Sequence, residues 1–561
     1  MDHPTKQSAF HLFGMIAAVL LLAAGAWLKI DAPLTYWDST LLDWAQSPVS
    51  EPPAATSPFY LVLLRGLAGL GALSIPVLRG INICGVLLSA LAAYRLAGIL
   101  WRRSEIAVLS FVFYVLHPAV VQGTQSLDMA DASFFPAAFT LWICEFVSDR
   151  TAGRARFIRL ALWAALAMGW KTTSALGLLF FPVLALFEWR ADRSTRPQRF
   201  RDLIATLAGF ALFAAAWWSL QRWESWSASS TSAVDAVASR AVDGALLRLA
   251  FHSVLGLAWW GPFLALLTIV GAAQLLRSPE VRRRALVGGA TLYAIGYLVA
   301  GGINHGFPRY HIAILPLLCA FAAGPVEGLN WKGKSLAAAL LLTVFFSFVP
   351  QDPVYDLNVT FREALLQGAL RAQIFREAMI WIGWVGLPLL VAVVAWKRQR
   401  AWFLALCALA GCLATGWVQA RAPYVTAYGY GAEGGSRVIE WVATHARAAP
   451  VLCPPNLSAG FKQRGFPGSS HHTWGTRQRI LDYIERNRPE VLVLSLTENT
   501  EGQLQWLLRQ PPEEFASCRD HYSRIGTYWV CIKAGSRLQA SGFRELRIAD
   551  CGLQIERQPY R

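Results

Sequence analysis

The sequence predicts a polytopic α-helical membrane protein that ends in a small α/β domain. Three observations predict it. Of 561 residues, 55% are apolar and only 15% are charged, with 24 Trp and 30 Phe. The mean hydropathy is +0.39. A soluble globular chain carries about 25% charge, so this composition excludes a soluble or disordered protein. Second, apolar stretches approaching the roughly 20 residues needed to cross a bilayer recur along the first three quarters of the chain. Third, the pattern changes after Trp417, where amphipathic helices alternate with short apolar strands.

The apolar stretches are 10–29, 80–100, 106–122, 132–147, 157–169, 173–189, 203–220, 252–276, 286–301, 310–328, 335–349, 378–396 and 401–418, which makes about 13 spans. The first has a long apolar run with no convincing small-residue cleavage site after it, so it reads as an uncleaved anchor rather than a signal peptide. The fifth and sixth are short and are separated only by Trp170-Lys171-Thr172. Beyond the spans, 437–447 (RVIEWVATHAR) and 476–488 (TRQRILDYIERNR) have helical periodicity, while 490–496 (EVLVLSL) and 524–533 (RIGTYWVCIK) read as strands. Two regions follow, 1–419 and 420–561.

Net charge is +16, which by itself invites a nucleic-acid reading. The placement of the charge argues otherwise. With the N-terminus cytoplasmic, one set of loops before residue 420 carries 21 Lys and Arg and the opposite set carries 10. By the positive-inside rule the richer set is cytoplasmic, and an odd number of spans puts 420–561 on the other side. Most of the basic charge thus sets topology, and no nucleic-acid partner is expected. Three long segments, 30–79, 221–251 and 350–377, fall on the outer side, and long loops of this kind are usually functional or disordered. The first contains an amphipathic piece at 57–72 suited to the membrane interface.

Of nine cysteines, Cys84, Cys144, Cys319, Cys407 and Cys412 lie in apolar spans. Cys453, Cys518, Cys531 and Cys551 lie in the exported region, an oxidising place. Four cysteines allow three complete pairings. Cys518 with Cys531, which flank an expected hairpin, is the favoured disulfide, and no pair has zinc-site spacing.

Ionisable groups at the mouths of spans are functional hypotheses by default. Four places stand out: Asp38 in TYWDSTLLDW, Asp128 in HPAVVQGTQSLDMAD, Lys171 in GWKTTSALGLL, and Arg309-Tyr310-His311 in NHGFPRYHIAILP. The topology puts all four at the outer interface. Two carboxylates with two or three cations there suit a sugar phosphate, because cations neutralise the phosphate and a carboxylate takes the acceptor's proton. Each has a plainer alternative. Asp38 is equally a solvated loop acid, Asp128 a helix cap with Asp131 as competitor, Lys171 a residue snorkelling to the headgroups, and Arg309 an interface anchor.

The order of these landmarks resembles the C-type glycosyltransferases that use polyprenyl-phosphate sugars, in particular the protein O-mannosyltransferases and the bacterial lipid A aminoarabinose transferase. The matching features are the first-loop acid Asp38, SPFYLVLLRGL (57–67), ALSIPVLRGIN (72–82), the HP-to-LD stretch (117–128), the Lys171 turn and PRYHIAILPLL (308–318). The resemblance covers about three quarters of the chain. It implies a C-type glycosyltransferase fold with a C-terminal periplasmic α/β domain, in a bacterial cytoplasmic (inner) membrane. It implies direct, inverting transfer of a sugar from a polyprenyl-phosphate donor to a lipid, glycan or protein acceptor. Asp38 would be the general base and Asp128 would orient acceptor or donor. Lys171 and Arg309 would stabilise the departing phosphate, and Tyr310 and His311 would line the site. A divalent cation, Mg or Mn, would bind Asp38 or Asp128 if the reaction uses one. The family often has a second acid after the first-loop Asp, where this chain has Ser39; Asp43, four residues further on, is the residue placed to compensate.

Other features read as bland. AYGYGAEGGSR (427–437) lacks the preceding strand of a nucleotide loop, and His471-His472 has no partner spacing for a metal. Three rival readings remain: a polymerase or ligase of lipid-linked glycans, a lipid or solute transporter, and a catalytically silent relative whose external domain binds a partner, which Ser39 keeps open. A transporter should show repeated halves and ionisable groups near mid-membrane, and the sequence has no convincing repeat.

Overall fold

The computed structural model describes residues 57–115, 133–148, 153–191, 196–223, 262–299, 313–328, 435–453, 455–466, 488–495 and 528–533. It also describes short pieces within 14–23, 41–45, 117–120, 470–471, 484–486, 515 and 523–525. The chain divides into two compact units, Met1–Glu433 and Gly434–Arg561.

The first unit is helical throughout its described residues. Its helices are α1 (Pro58–Gly69), α2 (Ile75–Trp101), α3 (Ser104–Val115), α4 (Phe134–Val147), α5 (Arg154–Trp170), α6 (Phe180–Ala191), α7 (Arg196–Trp223), α8 (Pro262–Leu276), α9 (Val281–Val299) and α10 (Leu315–Ala323). A 3-10 helix, Thr172–Leu179, joins α5 to α6. Among the described residues two helices, α2 and the Pro197–Leu220 part of α7, are long and apolar enough to cross a membrane. At 27 residues, α2 is about 40 Å long, more than the roughly 30 Å of bilayer hydrocarbon. It starts five residues before the expected span, because Ser74-Ile75-Pro76 provides an extended N-cap followed by proline in the first turn, where its missing N–H costs nothing. It stops at Arg102, which adopts a left-handed φ of 56°.

These helices are apolar on more than one face. α2 buries Leu78, Val86 and Leu96, yet leaves Val77, Leu88 and Leu91 exposed. A helix that offers apolar side chains to both the protein and its surroundings fits a lipid solvent.

The core centres on α4, whose residues from Phe135 to Val147 are nearly all buried. Phe139, Trp142 and Phe146 form an aromatic ladder against Phe180 and Phe181 of α6, with Phe139 also 5.1 Å from the Tyr293 ring of α9. The Trp142 indole N–H donates to Thr206 Oγ1 of α7 at 3.1 Å, as a buried tryptophan requires. Small residues set the closest crossings. A Cβ on Gly209 of α7 would lie 2.2 Å from the Ala161 carbonyl oxygen of α5, and one on Gly271 of α8 only 1.9 Å from that of Phe321 in α10. Backbones approach this closely only where no side chain intervenes, the usual packing device of membrane helices.

The second unit contains α11 (Gly435–His445), β1 (Val451–Cys453), α12 (Pro455–Gln463), β2 (Ser470–His471), β3 (Val491–Ser495), β4 (Ser523–Ile525) and β5 (Tyr528–Ile532). The sheet order is β2-β1-β3-β5-β4. β1 pairs in parallel with β2 and β3, and β5 pairs antiparallel with β3 and β4. Strand β3 falls inside the expected 490–496, and α11 overlaps the expected 437–447. The stretch 524–533, expected as one strand, is two: Ile525 pairs back onto Tyr528. Only Gly526-Thr527 separates them, the length of a tight hairpin link with a glycine first. The expected helix at 476–488 lies mostly outside the described residues.

Candidate functional site

Of the expected catalytic and binding residues, Lys171 alone is among those described. Asp38, Asp43, Asp128, Arg309, Tyr310 and His311 all lie outside them, as does Cys518. Cys531, on β5, is disulfide-bonded.

The Lys171 segment follows from local sequence. α5 runs to Trp170, and then Thr172, Thr173 and Ser174 supply β-branched and hydroxyl side chains that disfavour an α-helix and compete for its backbone bonds. Lys171 turns extended (φ −155°, ψ 120°). Its amide still donates to the Ala167 carbonyl at 2.8 Å, and its carbonyl accepts from Ser174 N–H at 3.0 Å, opening the 3-10 helix. The sixth expected span therefore begins as eight residues of 3-10 helix before continuing as α6. Lys171 is only 4% exposed. Its side chain is enclosed, unlike a lysine that snorkels to the surface.

Aromatic rings wall this segment. Trp170 stacks on Phe134, the first residue of α4, at 4.7 Å, and meets Phe59 of α1 edge-on at 5.9 Å. Phe59 also touches Phe213 of α7 at 5.7 Å, and its ring fills the space left by Gly169. Further along α1, the Arg65 guanidinium lies 4.3 Å over the Trp44 ring. Gly296 of α9 abuts Leu176 and Leu179 of the 3-10 helix.

The opposite end of the same helices holds a set of ion pairs that sequence reasoning missed. Asp202 of α7 accepts from Arg156 Nε and Nη2 of α5 and from Arg282 Nη1 of α9, each at 3.0 Å. The three side chains are 4%, 3% and 11% exposed. Arg282 also donates to the Phe146 carbonyl. Burial lowers the Arg282 pKa below its usual value, and Arg156 adds to this, while Asp202 opposes it. Nearby, buried Glu145 of α4 pairs with Arg95 at 2.8 Å and Arg159 at 3.0 Å, and buried Glu188 of α6 with Arg199 at 3.3 Å. At the surface Glu280 joins Arg102 and Arg283. The signal was present: Glu145 stands inside an apolar span and Asp202 beside one, positions where an acid demands a reason. Among the described residues there is no group of three or more His, Cys, Asp and Glu able to hold a metal ion. Both expected metal candidates, Asp38 and Asp128, lie outside them.

No protein-family model matches the chain, and no curated protein sequence does either. Solved structures are similar to it, two of which follow. One is the crystal structure of ArnT from Cupriavidus metallidurans bound to undecaprenyl phosphate, at 13% identity and a TM-score of 0.51, covering 94% of this chain and 98% of that one. The other is the archaeal oligosaccharyltransferase AglB from Archaeoglobus fulgidus in complex with an inhibitory peptide and a dolichol-phosphate, at 13% identity and a TM-score of 0.46, covering 87% of this chain and 70% of that one. The chain shares the fold of the first over 94% of its length. At 13% identity the likeness defines architecture, and the chemistry rests on the residues.

Proposed function

We propose that the protein is an integral membrane glycosyltransferase of the bacterial cytoplasmic membrane. It transfers a sugar, with inversion, from a polyprenyl-phosphate carrier to a lipid, glycan or protein acceptor at the outer face. Residues 1–419 form the membrane domain, with external segments 30–79, 221–251 and 350–377, and 420–561 form a periplasmic domain. Asp38 removes the acceptor's proton, and Asp128 orients a substrate or holds a divalent cation. Lys171 and Arg309 meet the charge of the leaving phosphate, Tyr310 and His311 line the site, and Asp43 supplies the acid that Ser39 lacks. With its charge met by cations the phosphate leaves readily, so no covalent enzyme intermediate is needed.

The observation that carries this reading is the enclosed Lys171 on a fold shared with a protein bound to undecaprenyl phosphate. An enclosed cation acts strongly on a nearby anion in low dielectric, and a phosphate monoester or diester presents such an anion at the moment the glycosidic bond breaks. The test is turnover of defined polyprenyl-phosphate sugars by the wild type, Asp38→Asn and Asp128→Asn. Turnover by the wild type and loss of at least a hundredfold in each variant is expected. Full activity in both variants overturns the site, and absence of turnover with every such donor, alongside lipid or solute transport, overturns the function.

A further inference from the structure

Between the first turn of α5 and the start of α7 lies a cavity of about 250 Å³, lined by Gly153, Arg154, Arg156, Phe157, Arg201 and Asp202. At ~30 Å³ per water that is room for about eight waters, enough for a phosphodiester head. Its charge is unbalanced. Asp202, the one acid in the lining, is already shared by Arg156 and Arg282. Among the described residues the triad sets two guanidinium groups against one carboxylate, with Glu188 acting on Arg282 from further off, and Arg282 Nη2 is buried with no hydrogen-bond partner among those residues. Of the described acids at this end, Glu145 is paired with Arg95 and Arg159 and Glu188 with Arg199. Arg154 and Arg201 add two exposed guanidinium groups at the cavity itself. A buried positive excess is costly unless an anion meets it.

What lies beyond the cavity points to the kind of anion. Ile158 and Leu162 on α5 and Phe200, Ile204 and Leu207 on α7 are large, apolar and exposed. Their spacing of three or four residues lines them along one face of each helix, starting at the cavity and running away from it. A free inorganic anion would use the charge and ignore this stripe. A lipid uses both.

We propose that this cavity holds the headgroup of an anionic phospholipid, whose acyl chains lie along the exposed apolar stripe of α5 and α7. The phosphate would sit against Arg154, Arg156 and Arg201, balancing the Arg156–Asp202–Arg282 triad and fixing this end of the bundle in its leaflet. Basic pockets between membrane helices are suited to such headgroups. The site is at the other end of α5 from Lys171. The inference rests on the membrane placement proposed above but not on sugar transfer, and its test reads binding rather than turnover.

The experiment uses the full-length protein, purified in a neutral detergent, with lipid titrated in while thermal unfolding and bound-lipid mass are followed. Phosphatidylglycerol is expected to raise the melting temperature saturably. Phosphatidylcholine of the same acyl chains and inorganic phosphate at matched concentrations should not. The variant R154Q/R201Q removes two exposed side chains and should keep its lipid-free melting temperature, while losing roughly thirtyfold in phosphatidylglycerol affinity, from about 1 kcal/mol per basic residue. An equal response to phosphatidylcholine overturns the headgroup assignment. An equal response to inorganic phosphate makes this a small-anion site and overturns the lipid. Unchanged phosphatidylglycerol affinity in the double variant places the lipid elsewhere and overturns the proposal.

Discussion

Replacing Asp202 with Asn tests whether the buried triad is a structural anchor of the helical unit. The carboxylate accepts three hydrogen bonds at 3.0 Å, two from Arg156 and one from Arg282. Its partners are only 3% and 11% exposed, so both guanidinium groups stay largely out of bulk water. The substitution leaves two buried guanidinium groups facing each other with no carboxylate between them. Breaking a buried pair from one side costs about 3–5 kcal/mol, most of it the burden of the charge left behind. Glu280→Gln is the control. It removes a carboxylate that is 29% exposed, from Arg102, which is 68% exposed, and such pairs are worth about 1 kcal/mol or less. The assay is unfolding of both variants in the same detergent. Asp202→Asn should lower stability at least threefold more than Glu280→Gln in free-energy terms. Adding Arg282→Met to Asp202→Asn should cost less than the two changes measured singly, because the like-charge contact is gone. If Asp202→Asn is as mild as Glu280→Gln, the triad is solvated and the reasoning is wrong.

Gly209→Ala should destabilise by about 1–3 kcal/mol, since its new Cβ would fall 2.2 Å from the Ala161 carbonyl oxygen. Gly69→Ala, with nothing within 4 Å, should leave the melting temperature unchanged; equal effects would refute the α5–α7 contact. Lys171→Met should retain the wild-type elution profile and melting behaviour while losing about 10²–10³ in turnover, the scale of one removed charge-stabilising group. Unchanged turnover would return Lys171 to a structural role. Reduction of the Cys531 disulfide should cost about 2–5 kcal/mol, and a non-reduced peptide map should join Cys531 to Cys518. A link to Cys551 would overturn that pairing.

The apolar spans were legible because crossing a bilayer is a one-dimensional demand on composition. Ile75–Trp101, long and apolar enough to cross a membrane, and the shorter apolar helix Phe134–Val147 fall where runs of Leu, Ala, Val and aromatics said they should. The Lys171 turn was legible for a similar reason: one cation followed by Thr-Thr-Ser interrupts an apolar run, and the chain does leave the α-helix there. Strand β3 announced itself as alternating Val and Leu. A hairpin between Cys518 and Cys531 was expected, but the split of 524–533 into β4 and β5 did not show, because so short a link is smaller than the window in which periodicity shows.

The arginines mark the limit. Counted along the chain, Arg156, Arg159, Arg199 and Arg282 are only basic residues on one side of a membrane. In the folded protein they are the partners of Glu145, Glu188 and Asp202. Arg156 and Arg282 meet Asp202 across 46 and 80 residues, distances at which no local pattern records a contact. The sequence by itself determined how much of the chain seeks lipid and where its helices turn, since these depend on side-chain chemistry read in order. The tertiary structure alone decided which charges are neutralised and which are left over. A charge's worth depends on what surrounds it in low dielectric, and that is settled only when distant helices pack.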